Sequence, residues 1–143
     1  MTNEMELIAL GVVPRRPAGT GPAEPVRSRM RTVLLHGPAL DYAVARALTV
    51  SIDVRGGIVT LPGAGHWHPS VDWAQAGPLF DRFQIRIGDQ PRPVRGSSVT
   101  MASIGTGPER VATCGPTILV AACRAIVMAH LGDSVFIPAE LQP

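Results

Sequence analysis

Lysine is missing from this chain of 143 residues, and every side chain in its count of 13 lysines and arginines is an arginine. Alanine, glycine and proline are abundant, so the arginine usage matches a GC-rich codon bias. It does not mark each arginine as chosen for bidentate chemistry. The net charge is +2, and both signs are spread along the chain. No block of like charge marks a nucleic-acid footprint, so DNA binding is not expected. Cys114 and Cys123 are the only cysteines. Two cysteines make no disulfide framework, and Cys123 lies in an apolar helical run where a small buried thiol is the usual role. No apolar stretch is long enough for a membrane span. Met5–Val13 is too short, and Glu4 and Glu6 stand where a signal peptide would be positive. The expected setting is the cytoplasm.

Aromatics amount to 4%, yet both tryptophans fall within one stretch, Trp67–Leu79. Against that scarcity, 45% of the residues are apolar, enough for one domain with one core. Residues 1–31 read as an N-terminal arm, either flexible or docking on a neighbouring subunit, because Pro14–Pro25 has linker composition. Residues 32–143 read as a single α+β domain, with a small antiparallel sheet packed against two or three helices. Thr32–Leu35 is a candidate strand. Gly37 and Pro38 then open a helix to Leu48, since proline at the first helical position is already preorganised. Val50–Val54 and Ile58–Leu61 flank Gly56 and Gly57 as a hairpin. Gln84–Gly88, Ser97–Ser103 and Arg110–Thr113 are further strands, with an exposed loop over Asp89–Gly96. The longest helix is expected over 116–131, stopped by Gly132, and Ser134–Pro138 is a final strand.

Candidate functional residues centre on Trp67–Leu79, whose mixture of apolar, polar and backbone-special residues has no regular period. We read it as a structured loop entering a helix at Gly77 and Pro78. His66 and His68 share a face if the chain is extended, but a metal needs more ligands than they supply, and no metal or cofactor is expected. Ser70 or Asp72 can cap the following turn. Trp67 and Trp73 are either core residues or a stacking surface for a flat ligand. Arg124 is a charge in the middle of an apolar helix. It must snorkel, pair with Asp72 or Asp41, or meet a ligand anion. The steps at Gly37, Gly77 and Gly115 are each followed by proline and are expected to begin helices. A helix start offers unpaired N–H donors to an anion, so two of them converging near Trp73 would form a phosphate or carboxylate pocket. The glycines of Ile104–Arg110 lack a complete phosphate-loop pattern.

Three blocks, Leu35–Arg46, Trp67–Leu79 and Gly115–Pro138, together resemble the phage NinX-like domain of unknown function, over about residues 32–141. Val71 stands where that pattern usually has threonine. The resemblance implies a small phage accessory protein and carries no established activity. Phage context and residue types point first to a non-enzymatic binder of a small nucleotide-like ligand. Such a protein would sequester a cyclic nucleotide or ADP-ribose-type immune signal of the host, as a homo-oligomer. The expected ligand-binding residues are Trp67, His68, Ser70, Asp72, Trp73, Gly77, Gly115, Thr117 and Arg124. A protein-interaction module using a tryptophan patch and a hydrolase using His68 and Asp72 are the alternatives.

Overall fold

The computed structural model describes residues 27–89 and 99–142. The readings of Pro14–Pro25 and of the loop after Asp89 lie outside them. The elements in order are β1 (Arg27–Arg31), a 3-10 turn (Thr32–Leu34), α1 (Gly37–Leu48), β2 (Asp53–Arg55), β3 (Ile58–Leu61), β4 (Gly65–His66), α2 (Trp73–Phe83), β5 (Arg86–Asp89), β6 (Thr100–Ile104), β7 (Val111–Gly115), α3 (Ile118–Leu131) and β8 (Ser134–Pro138). This is an α+β fold. Its strands form three small antiparallel sheets rather than one, in the orders β1–β8, β2–β3–β4 and β5–β6–β7.

Helix α3 is the spine. Its sequence is apolar nearly all round, and Leu119 to Cys123 and Ala125 to Val127 are buried. A helix of that composition must be covered on most sides, and α3 packs on β6, β7, α1 and α2. Small side chains set how close those neighbours come. Ala121, Ala122 and Ala125 meet Ala102 of β6 in one alanine-lined contact. The larger core gathers Leu35, Leu40 and Val44 with Ile126, Val127 and Ile137.

Local chemistry explains most element boundaries. Pro38 lies in the first turn of α1, as expected. Gly56 and Gly57 both adopt positive φ, which a two-residue hairpin turn demands, and β2 pairs with β3 across them. Gly115 is the last residue of β7, with the start of α3 folded back over it. A Cβ there would lie 2.9 Å from Val120 Cγ1 and 3.0 Å from the backbone nitrogen of Ala121, so only glycine fits without displacement.

Several boundaries differ from the sequence reading. Thr32–Leu34 is a 3-10 turn, not a strand. Buried Thr32 donates its hydroxyl to the Gly132 carbonyl at 2.7 Å, which ties the turn to the end of α3 and prevents a straight extension. The strand lies one step earlier: Arg27–Arg31, at the end of the segment read as an arm, pairs with β8 from Arg27↔Pro138 to Arg31↔Ser134. The second helix begins at Trp73, so Gly77 and Pro78 are inside it. Asp72 caps it by accepting the Ala74 N–H at 2.9 Å, and this wins over the proline as the start signal. Helix α3 begins at Ile118 rather than at residue 116, because Thr117 is its N-cap, accepting from the Val120 N–H at 3.1 Å. Side-chain caps of this kind contribute about 1 kcal/mol each.

Candidate functional site

The stretch Trp67–Asp72 is held between α1 and the start of α2 by backbone and side-chain bonds. Trp67 donates its backbone N–H to the Val59 carbonyl at 2.9 Å and its indole N–H to the Asp41 carbonyl at 2.8 Å. The Ser70 N–H donates to the Asp41 carboxylate at 2.8 Å. Gln75 closes the loop from the other side: its Oε1 accepts from the His68 N–H at 2.6 Å, and its Nε2 donates to the His66 carbonyl at 2.7 Å. Asp41 is only 2% exposed. Burial pushes its carboxyl above the ordinary carboxylate range, and the Ser70 backbone N–H opposes that shift. Asp41 is therefore the internal brace of the loop.

The two tryptophans have different fates. Trp67 is buried, so its ring is packed in the core and not open to solvent as a stacking face. Trp73 is 55% exposed and stacks on Phe80 two helical turns away, with ring centroids 5.4 Å apart. Phe80 backs one face and orients the ring, while more than half of Trp73 stays open to solvent.

An open cleft of about 460 Å³ runs beside Trp73. It is lined by Ser70, Val71 and Trp73 on one wall and by Thr117 to Val120 on the other. Two helix starts therefore meet here, those of α2 and α3. Ser70, Trp73 and Thr117 come together at this cleft, with Asp72 beside them as the cap of α2. Gly77 does not join them as an anion donor, because its N–H lies within a helix and not at its free end. Gly115 lies in β7 beneath the first turn of α3 and shapes the wall from behind. The lining residues that sequence reasoning passed over are Val71, Ile118, Leu119 and Val120. The exposed apolar side chains Val71 and Ile118, next to capping residues, were their only signal.

Arg124 lines no part of this cleft. Its Nε donates to the Leu35 carbonyl at 2.8 Å and its Nη1 to the Cys114 carbonyl at 2.9 Å. It thus joins α3 to the lead-in of α1 and to β7. Neither Asp41 nor Asp72 is its partner, which corrects both carboxylate pairings. Burial lowers the Arg124 pKa from its ordinary value, but a guanidinium keeps its charge in proteins. Both cysteines are free thiols, Cys123 buried and Cys114 partly exposed. Burial pushes the Cys123 thiol well up, so it behaves as a small core residue.

His68 Nε2 stands 3.6 Å from Asp72 Oδ2, and the rings of His66 and His68 stack with centroids 4.1 Å apart. Ser70 lies between His68 and Asp72 in sequence, but its buried Oγ makes no hydrogen bond to either. A serine–histidine relay is therefore not assembled in this arrangement. Among the described residues, no group of three or more histidine, cysteine, aspartate or glutamate side chains is placed to hold a metal ion. No described helix is long and apolar enough to cross a membrane.

A family model described as Bacteriophage P22, NinX matches residues 32–130. No curated protein matches the chain.

Proposed function

The chain belongs to the bacteriophage P22 NinX family, and from that premise we propose that it is a non-enzymatic binding protein whose ligand seats in the Trp73 cleft. The observation that carries the reading is Trp73 itself: a tryptophan more than half exposed, backed by Phe80, on the wall of a cleft of about 460 Å³. That volume falls within the range of small-molecule sites. A flat, nucleotide-like molecule fits the wall by stacking its base on the indole. Its phosphate would meet the first turn of α3, whose leading N–H groups have no partner within the helix. Arg124 takes no part, because its guanidinium is bonded to the Leu35 and Cys114 carbonyls, so phosphate recognition rests on that first turn. In a phage accessory protein, such a binder would sequester a host immune signal, a cyclic nucleotide or an ADP-ribose derivative. Exposed Val71 and Ile118 at the rim would be covered by a second copy in a homo-oligomer.

The test is a thermal-shift screen of the purified protein against cyclic dinucleotides, cyclic trinucleotides and ADP-ribose derivatives. A ligand at about 100 times its Kd adds about 2.7 kcal/mol of stability. Under the proposal, one of them raises the melting temperature by several degrees, is recovered unchanged after heating, and loses its effect in Trp73→Ala. Recovery of a converted product would refute the non-enzymatic reading and return attention to His68 and Asp72. A shift that persists in Trp73→Ala would refute the site.

One observation favours a second reading. The cleft walls are largely apolar, and Val71, Trp73 and Ile118 form an exposed group with no arginine among the lining residues. A partner protein's aromatic or aliphatic side chain would fit there as an interface anchor. Absence of any shift across the nucleotide panel, with capture of a host protein that Trp73→Ala abolishes, would establish that reading instead.

A further inference from the structure

Outside the residues that the family match covers, β1 carries a pattern that the fold turns into a surface. Its residues alternate as Arg27, Ser28, Arg29, Met30 and Arg31. Alternate side chains of a strand share a face, so the three arginines lie together. Their register partners on β8 are Pro138, Phe136 and Ser134, which share that face. The opposite face carries Met30 and Val135 against the core and buried Ile137. The arginine face is open: Arg27, Arg29 and Arg31 are exposed, and Phe136, directly opposite Arg29, is 60% exposed. Arg29 is steadied by donating its Nε to Ser134 Oγ at 2.7 Å. At the Arg27 end, a pocket of about 210 Å³ separates the sheet from α1, and Arg46 of α1 lines it together with Arg27, Tyr42 and Phe136. Among the described residues the only ion pair is His68–Asp72, so no described carboxylate neutralises these four arginines.

We propose that this face binds single-stranded nucleic acid, with Arg27, Arg29, Arg31 and Arg46 along the phosphates and Phe136 beneath a base. A strand rises about 3.4 Å per residue, so alternate arginines stand about 7 Å apart along β1. That spacing is close to the phosphate step of an extended single strand. An exposed ring between the cations gives an unpaired base a stacking platform, the combination by which single strands are held without sequence preference. A duplex keeps its bases stacked and cannot use Phe136. The site shares no residue with the Trp73 cleft, so its fate is independent of the function proposed above.

The experiment is fluorescence anisotropy of the full chain with a labelled oligothymidylate of about ten nucleotides, a length within the usual site sizes. It is repeated over a salt series and with a duplex of equal length. Each phosphate contact contributes about −0.7 to the slope of log affinity against log salt, so four arginines give a slope of about −3. Phe136→Ala weakens single-strand binding about tenfold or more at fixed salt and leaves the slope unchanged. Arg29→Gln and Arg46→Gln each flatten the slope by about 0.7. Arg86→Gln, an exposed arginine of β5, removes the same charge elsewhere and changes neither quantity. Circular dichroism confirms that each variant is folded. The proposal is overturned if the oligonucleotide does not bind at low salt, if Phe136→Ala has no effect, or if the duplex binds as well as the single strand. It is equally overturned if adenosine monophosphate occupies the Arg27–Arg46 pocket while the oligonucleotide does not bind.

Discussion

Arg124→Ala separates the two roles open to a lone charge in an apolar helix. The guanidinium forms two bonds to backbone carbonyls, at 2.8 and 2.9 Å, from elements far apart in sequence. Hydrogen bonds from a charged group contribute about 1.5–3 kcal/mol each when shielded from water. Arg124 is only partly buried, so solvent takes up some of that, and a combined loss of about 2–4 kcal/mol is expected. For a domain of this size each kcal/mol lowers the melting temperature by about 2–4 °C, giving a fall of about 4–16 °C. Urea unfolding measures it directly: the midpoint should drop while the slope with denaturant stays constant, since the same surface is exposed on unfolding. Arg124→Lys should recover less than half, because one ammonium cannot reproduce a planar fork that spans two carbonyls. A variant melting within about one degree of the parent would refute this account. The arginine would then be free to serve a ligand, as the sequence alone allowed.

Three further outcomes follow from the packing around the loop. Gly115→Ala should cost about 1–3 kcal/mol in urea unfolding, because its Cβ would meet the Ala121 backbone nitrogen at 3.0 Å, where no side-chain rotation can relieve it. Trp67→Phe should cost about 1–3 kcal/mol through the lost bond to the Asp41 carbonyl and the smaller ring; an unchanged midpoint would mean that this bond is not formed in solution. Asp41 sets a pH dependence. Burial raises its folded-state pKa above the unfolded value, so its contribution is fully present below the unfolded value and is lost as pH rises through the folded one. The stability of Asp41→Asn relative to the parent should therefore be flat at low pH and increase through that window, as read by urea midpoints across a pH series. A difference that shrinks with rising pH would show that the carboxylate is stabilised, not strained, by its site.

The elements legible in the sequence are those whose signals are local. Gly37 with Pro38 marks the start of α1, the paired glycines mark the β2–β3 turn, and the apolar run marks α3. Strand β8 spans Ser134–Pro138 as read. Strand β1 was illegible because its residues carry no apolar alternation: arginines face outwards, and only Met30 of its inner side is apolar. Its partner, far along the chain, makes it a strand. The start of α2 was misplaced because Pro78 is a strong local signal while the Asp72 cap is a weak one, and an exposed proline six residues into the helix is tolerated. At the site, Ser70, Trp73 and Thr117 were legible as residue types beside helix starts. Which tryptophan turns inward depends on a carbonyl of α1, and the partners of Arg124 are carbonyls too. Backbone acceptors belong to every residue and leave no trace in the letters.

The β1–β8 pair also orders events in time. Arg29 and Ser134 lie 105 residues apart, and the family match, residues 32–130, includes neither strand. During synthesis β1 emerges early and waits for its partner until nearly all the described chain is made. Pairings of such long range carry a large loop-closure cost and form slowly. Until they form, Ile137 is without its finished surroundings and both strands keep unpaired edges, the condition in which chains cross-associate. A fragment cut to the matched residues would remove the closure altogether and leave that side of the core uncovered.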